Sequence, residues 1–154
     1  MTSLIPMVGD ASKICRVSTS AVAGAHASRP ILAARVGAVA YVLWGVLHLG
    51  LGLTMVISGF ANSSEGRAGE LLAESTMFFV CAAVFGTQAI GVGVALNWHN
   101  SRAGYWINLV PLGVVDVAFV LIMVIPRHID LVGGLTGPAV WLVAAIGSTM
   151  ARWR

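Results

Sequence analysis

The chain has 154 residues, of which 58% are hydrophobic and only 10% are charged, and its mean hydropathy is +0.89. Because ordinary soluble domains carry about 25% charged residues, this composition excludes such a domain and favours an integral membrane protein. The formal net charge is +3, but the basic residues cluster where they set the orientation of a membrane protein. We therefore predict no nucleic-acid partner.

Residues 1–35 mix Ser, Ala, Gly and scattered basic residues without an apolar periodicity, and they lack the continuous apolar stretch of a signal peptide. We interpret them as a flexible basic cytoplasmic tail in front of a transmembrane domain over residues 36–154. The composition is also that of an organellar transit peptide. We favour a bacterial protein of the cell inner (plasma) membrane.

The transmembrane domain contains apolar runs that are each about long enough to cross a bilayer, at about 36–60, 71–96, 105–125 and 129–150. They predict an all-α, four-helix transmembrane bundle. Seven of the nine Lys and Arg residues lie in the tail, the second loop and the C-terminus, whereas two lie in the first and third loops. The positive-inside rule therefore places both termini in the cytoplasm.

The first span has small residues every seven positions, which keeps them on one stripe of a helix: Ala38, Gly45, Gly52 and Gly59. Helices in lipid associate by close packing of such residues. We therefore assign Gly45, Gly52 and Gly59 to helix packing and expect this seam to supply contact surfaces for a partner. The same arrangement turns His48 toward a neighbouring helix.

In the second span the same seven-residue spacing puts one carboxylate and one amide on a shared face, which we expect to point into the bundle: Glu74, Cys81, Gln88 and Ala95. In the third span Asp116 is the deepest carboxylate of the chain, with Asn108 about two turns away. Pro111 cannot donate a hydrogen bond to the carbonyl of Ile107, so an acceptor is left free there. The fourth span offers Gly133 and Gly137 in GxxxG spacing, which predicts packing alone.

The candidate polar core is made of the uncommon polar residues at membrane depth: His48, Gln88, Asn108 and Asp116. One interpretation pairs His48 with Asp116, with Gln88 at a similar depth, as a proton relay or a ligand contact. The alternative is that these side chains only hydrogen-bond the helices together. We favour the structural interpretation, because the candidate polar core contains only one carboxylate and one histidine for a proton relay.

Two segments, residues 43–50 and residues 104–110 followed by Asp116, resemble small four-helix bacterial membrane proteins that are similar to DoxX-like proteins. DoxX-like proteins are associated with quinone-linked or membrane redox complexes. The resemblance implies a small integral membrane partner of such a complex. It carries over no functional residue, because the chain matches no catalytic motif of that family.

The sequence contains no GxSxG elbow, no HExxH motif and no phosphate-binding glycine loop, so we predict no catalytic residues. We predict no metal site and leave the cofactor unknown, since a haem with two axial histidines would require a dimer around His48. We expect a non-enzymatic subunit or partner of a larger membrane complex, in contact with the lipid bilayer and with a protein partner or a second copy. The alternatives are a binder of a quinone or lipid within the bundle and a proton-coupled transporter that works as a homo-oligomer.

Overall fold

The computed structural model describes the backbone of residues 11–61 and 67–153 and the side chains of residues 31–61 and 68–153. Within these ranges all regular structure is helical. The elements in chain order are α1 (Ala11–Ala61), α2 (Arg67–Ala95), a 3-10 turn (Asn97–His99), α3 (Arg102–Phe119), a π-helical segment (Val120–Val124) and α4 (Leu131–Arg152).

The four long helices contain stretches that are long and apolar enough to cross a membrane: Ile31–Ala61, Ala68–His99, Arg102–Val124 and Leu131–Arg152. The predicted all-α transmembrane bundle is thereby confirmed. The spans begin up to five residues earlier than expected, with the exception of the fourth, which lies two residues later in the chain.

The N-terminal region differs from the expectation. Residues 11–35, predicted to be a flexible tail, form the beginning of the 51-residue helix α1, whereas residues 1–10 lie outside the described residues. Alanine recurs through this stretch, and residues 11–29 contain no proline. Since alanine is the strongest helix former, the backbone continues as a helix even though the side chains show no apolar periodicity.

The glycine seam of α1 packs against α2. A Cβ atom added at Gly45 would lie 2.6 Å from the carbonyl oxygen of Gly86, and one at Gly52 would lie 2.7 Å from that of Phe79. Gly59 faces Thr76 in the same way. The prediction that this seam is a surface for a partner was therefore wrong, because the backbone of α2 already occupies it.

The helix α1 also packs closely against α4. A Cβ atom added at Gly37 would lie 2.7 Å from the backbone nitrogen of Ser148, and one at Gly147 would lie 3.0 Å from that of Gly37. Contacts of α3 with α2 and α4 are sparser. The centre of the bundle is therefore α1, whose Tyr41 and Trp44 are fully buried.

The polar face predicted for α2 does not point inward as a whole. Glu74, Cys81 and Ala95 are exposed, and only Gln88 is partly buried. The buried positions are instead Gly86, Ala89 and Gly93. Close contact with α1 selects the smallest side chains of α2, and these lie on a different stripe from the polar ones.

The C-terminal end of α3 widens into the π-helical segment. The backbone nitrogen of Ile125 donates to the carbonyl oxygen of Val120 at 2.9 Å, and that of His128 donates to Met123 at 3.0 Å. This segment begins four residues after Asp116. Short π-helical segments occur often next to functional sites, which directs attention to the surroundings of Asp116.

Candidate functional site

The centre of the candidate site is a hydrogen bond between α1 and α3. The indole Nε1 of Trp44 donates to Oδ2 of Asp116 at 2.9 Å, and the two residues are only 0% and 3% exposed. A carboxyl group at this depth needs a partner, and the indole provides one. The direct pairing of Asp116 with His48, which was one of the two interpretations of the sequence, is not formed, and Trp44 is the donor to this carboxyl group.

His48 lies one turn after Trp44 on α1 and stacks on its indole, with ring centroids 3.7 Å apart and planes inclined by 16°. Its Nδ1 is 2.9 Å from the carbonyl oxygen of Trp44. A carbonyl only accepts hydrogen bonds, so this contact assigns the proton to Nδ1. The Nε2 atom of the neutral ring is then left as an acceptor.

Gly137 of α4 lies beside both His48 and Asp116. A Cβ atom added at Gly137 would lie 2.9 Å from Cε1 of His48, 3.3 Å from its Nε2 and 3.9 Å from Oδ1 of Asp116. We call the place where these three residues meet the Gly137 niche. The structure therefore brings His48 and Asp116 to the same small volume, although it does not join them by a hydrogen bond.

The niche presents hydrogen-bond acceptors. Within the described residues, the only side-chain donor to Asp116 is Trp44, which uses Oδ2, so Oδ1 is available on the side of Gly137. The Nε2 atom of His48 borders the same volume. A group that donates hydrogen bonds, such as a hydroxyl, complements both atoms.

Gln88 lies elsewhere than expected. Its Nε2 donates to the carbonyl oxygen of Ile107 at 3.0 Å, which is the acceptor that Pro111 leaves free. Ile107 precedes Asp116 by nine residues of α3, or about 13 Å along a helix. Gln88 therefore compensates for a proline and does not complete a polar centre with His48 and Asp116.

Asn108 is fully buried, and its Nδ2 donates to the carbonyl oxygen of Ala89 at 3.4 Å. Its Oδ1 has no hydrogen-bond partner in the described part of the chain, and the same holds for the hydroxyl of Tyr41 and Nε1 of Trp141. Trp141 packs on Gly113, where an added Cβ atom would lie 2.5 Å from its ring. The interior thus retains unused polar atoms beside the core of α1.

Trp44 and Gly137 were not selected as site residues from the sequence. Trp44 had a usable signal, since it precedes His48 by four residues and such positions meet on one face of a helix. Gly137 was assigned to helix packing alone, whereas it borders both His48 and Asp116. Which helix lies opposite His48 depends on the tertiary arrangement, and no periodicity reveals that.

The described residues hold no group of three His, Cys, Asp or Glu side chains that is able to bind a metal ion. The fold and the site define a multi-pass, all-α membrane protein with a polar niche between α1, α3 and α4. Comparison of the chain with protein-family models, curated proteins and solved structures found no match. The resemblance to DoxX-like proteins stays a prediction from two short segments.

Proposed function

We propose that this chain is a non-enzymatic protein of the cell inner (plasma) membrane that binds the polar head of a lipophilic small molecule, such as a quinone in its hydroxylated form or a lipid. The observation that carries the proposal is the Gly137 niche, where Nε2 of His48 and Oδ1 of Asp116 both lie within 4 Å of the position that a Cβ atom of residue 137 would take. Sites for small molecules combine an apolar lining with a few polar groups that converge on one point.

The remainder of the site supports this assignment. Trp44 fixes the carboxyl group through Oδ2 and stacks on the imidazole of His48, so both groups are oriented before a ligand arrives. A preorganised site loses less entropy on binding. The apolar exterior of the helices supplies a route from the bilayer for a ligand with a hydrocarbon tail.

The orientation that we propose places both termini in the cytoplasm. Arg35, Arg102 and Arg152 lie at the end of the bundle where α2 joins α3, and Arg127 lies at the opposite end. An excess of arginine on one side is the pattern of a cytoplasmic face.

The experiment that tests ligand binding is Gly137→Ala. The added Cβ atom would lie 2.9 Å from Cε1 of His48, whose ring is stacked on Trp44, so the imidazole must shift relative to Asp116 while every polar group is kept. Mass spectrometry of the chain purified in mild detergent should find a stoichiometric hydroxyl-bearing lipophilic molecule in the wild type and not in the variant.

The matched control is Gly91→Ala, because an added Cβ atom there meets nothing within 4 Å. This variant should keep the molecule, and thermal unfolding in the same detergent checks that both variants are folded. Retention of the molecule by folded Gly137→Ala protein, or its absence from the wild type, would contradict the proposal.

A role as a subunit of a larger complex, or as a homo-oligomer, is a second proposal and rests on a different surface. Gly50 and Gly91 lie on exposed faces of α1 and α2, and an added Cβ atom at either meets nothing within 4 Å. Close approach of a second chain is easiest at such positions. Gly50→Leu and Gly91→Leu should abolish co-purification of that chain without lowering the stability of the bundle, and unchanged co-purification would argue against it.

Proton-coupled transport uses the same His48 and Asp116 and is an outcome of the same experiments. A proton flux in vesicles that is lost in both Asp116→Asn and Gly137→Ala, together with no co-purifying molecule, would favour transport over ligand binding.

A further inference from the structure

Two polar side chains of the core, Tyr41 on α1 and Asn108 on α3, are both 0% exposed. The hydroxyl of Tyr41 and Oδ1 of Asn108 have no hydrogen-bond partner among the described residues. Buried polar atoms are nearly always hydrogen-bonded, either to the protein or to ordered water. Because both atoms are sealed from the surface, a partner that satisfies them has to lie inside the bundle.

The two side chains lie beside the same turn of α2. Nδ2 of Asn108 donates to the carbonyl oxygen of Ala89 at 3.4 Å. A Cβ atom added at Gly93 would lie 3.6 Å from Cβ of Tyr41. In a helix the carbonyl of residue 89 points toward residue 93, because it accepts a hydrogen bond from the N–H of that residue. Tyr41 and Asn108 therefore both contact the turn of residues 89–93.

Ser148 on α4 supplies a third polar group at this place. It is 7% exposed, and its side chain is close enough to the hydroxyl of Tyr41 to interact with it, although no hydrogen bond of ordinary geometry joins the two. Oγ of Ser148 donates to the carbonyl oxygen of Ala144 at 2.7 Å. A hydroxyl has one hydrogen to donate, so Oγ is left as an acceptor.

The hydrogen-bonding roles of the three groups define their common partner. A backbone carbonyl only accepts, so the bond to Ala89 fixes the orientation of the Asn108 amide and leaves Oδ1 as an acceptor. Ser148 offers a second acceptor, and the hydroxyl of Tyr41 offers a donor. A partner of all three has two hydrogens to donate and a lone pair that accepts. Water has this combination, and buried waters in proteins make about three hydrogen bonds.

We propose that an ordered water molecule is bound between α1, α3 and α4, where it donates to Oδ1 of Asn108 and Oγ of Ser148 and accepts from the hydroxyl of Tyr41. Water-mediated hydrogen bonds are nearly as favourable in enthalpy as direct ones, so this water attaches the sparsely packed α3 to its neighbours. Asn108 precedes Asp116 by eight residues, or about 12 Å along a helix. The water site is therefore separate from the Gly137 niche.

A direct hydrogen bond between the hydroxyls of Tyr41 and Ser148 is the alternative. It would satisfy Tyr41 but would leave Oδ1 of Asn108 unpaired in the core of a membrane protein, where bulk water does not reach it. A shared water is favoured because it satisfies both buried atoms at once.

The direct test is a crystal structure of the full chain in a lipid mesophase, at a resolution that shows ordered water. We expect one water peak about 2.8 Å from each of the three oxygen atoms. A direct bond between Tyr41 and Ser148 with no water peak beside Asn108 would overturn the proposal.

X-ray footprinting in detergent provides a second measurement, because hydroxyl radicals that form from a bound water oxidise the side chain beside it. Tyr41 should be oxidised although it is fully buried. The oxidation should fall to background in Asn108→Leu, which removes one acceptor of the water at a similar side-chain size. Ser148→Ala removes the other acceptor and should lower the oxidation as well. Thermal unfolding in the same detergent checks that the variants are folded.

The matched control is Tyr105→Phe, because the hydroxyl of Tyr105 already lies 3.1 Å from Oγ1 of Thr149. This variant should leave the oxidation of Tyr41 unchanged. Wild-type protein in which Tyr41 is not oxidised would contradict the proposal. Equal oxidation of Tyr41 in wild type and in folded Asn108→Leu and Ser148→Ala protein would also contradict it.

Discussion

Two parts of this bundle are held together by different means. The contacts of α1 with α2 and α4 are made by glycines whose backbones approach so closely that an added Cβ atom at Gly45, Gly52 or Gly37 would lie within 2.7 Å of the facing backbone. The helix α3 packs more sparsely. It is joined to α1 and α2 by side-chain hydrogen bonds, from Trp44 to Asp116 and from Gln88 to Ile107.

The difference is instructive because helices in lipid gain no stability from leaving water. Their association rests on van der Waals packing and on hydrogen bonds, and this chain uses the first for its central helices and the second for α3. The hydrogen-bonded helix also carries Asp116, the π-helical segment and Asn108. The tightly packed helices thus form a scaffold, and the polar chemistry is concentrated on the contacts of α3.

The largest effect is expected from Gly45→Leu, which attacks the packed part. The new side chain would begin 2.6 Å from the carbonyl oxygen of Gly86, and α2 must move away to admit it. We expect a loss of about 3 kcal/mol in the free energy of unfolding, measured by titration with sodium dodecyl sulfate in detergent micelles.

The matched control for this variant is Gly50→Leu on the same helix, where an added Cβ atom meets nothing within 4 Å. Its unfolding free energy should differ from the wild type by less than about 0.5 kcal/mol. Similar losses at Gly45 and Gly50 would mean that close packing of α1 on α2 is not what stabilises this part.

A smaller effect is expected from Trp44→Phe, which removes the hydrogen bond between Trp44 of α1 and Asp116 of α3. The variant keeps an aromatic ring for stacking on His48 but removes the only side-chain donor to Asp116 among the described residues. Leaving a buried carboxyl group unpaired should cost about 2 kcal/mol of unfolding free energy.

The control for Trp44→Phe is Trp153→Phe, since Trp153 is 83% exposed. The coupling between Trp44 and Asp116 is tested by repeating Trp44→Phe in an Asp116→Leu background. The loss of unfolding free energy should then fall to the part that reflects packing alone. An equal loss in both backgrounds would assign the effect to the size of the indole and not to the hydrogen bond.

The fold was predictable because a helix that crosses a lipid bilayer needs a long stretch of apolar residues. Four apolar stretches of spanning length and the seven-residue spacing of glycine in α1 are properties of the chain itself, and both were found in the structure. The N-terminal part of α1 was not predicted, because alanine-rich helix without an apolar face carries no periodic signal.

The candidate site was predictable only in its components. His48 and Asp116 were selected by the cost of polar groups in lipid, and the carbonyl of Ile107 was expected to lack its helical donor because Pro111 has no N–H. The partners of these groups were not predictable. Trp44, Gly137 and Gln88 meet them through the angular position of each helix in the bundle, and single-helix patterns do not determine that angle.

The smallest effect is expected at the hydrogen bond from Gln88 of α2 to Ile107 of α3. This bond can be tested with a double-mutant cycle. Gln88→Leu removes the donor to the carbonyl of Ile107, which Pro111 cannot supply, and should cost about 1 kcal/mol of unfolding free energy. Pro111→Ala restores a backbone donor to that carbonyl, so Gln88→Leu should cost almost nothing in the Pro111→Ala background.

The matched control for this cycle is Thr87→Val, because Oγ1 of Thr87 bonds within its own helix to Ala83 at 2.9 Å and makes no contact of this kind with α3. Its small cost should be the same with Pro111 and with Pro111→Ala. If Gln88→Leu also cost the same in both backgrounds, the glutamine would stabilise the bundle by packing, and the proline would not be the reason for its position. A coupling of about 1 kcal/mol between the two substitutions would instead show that Gln88 attaches α2 to α3 by donating to the carbonyl of Ile107. That carbonyl is available because Pro111 has no N–H to donate to it within α3.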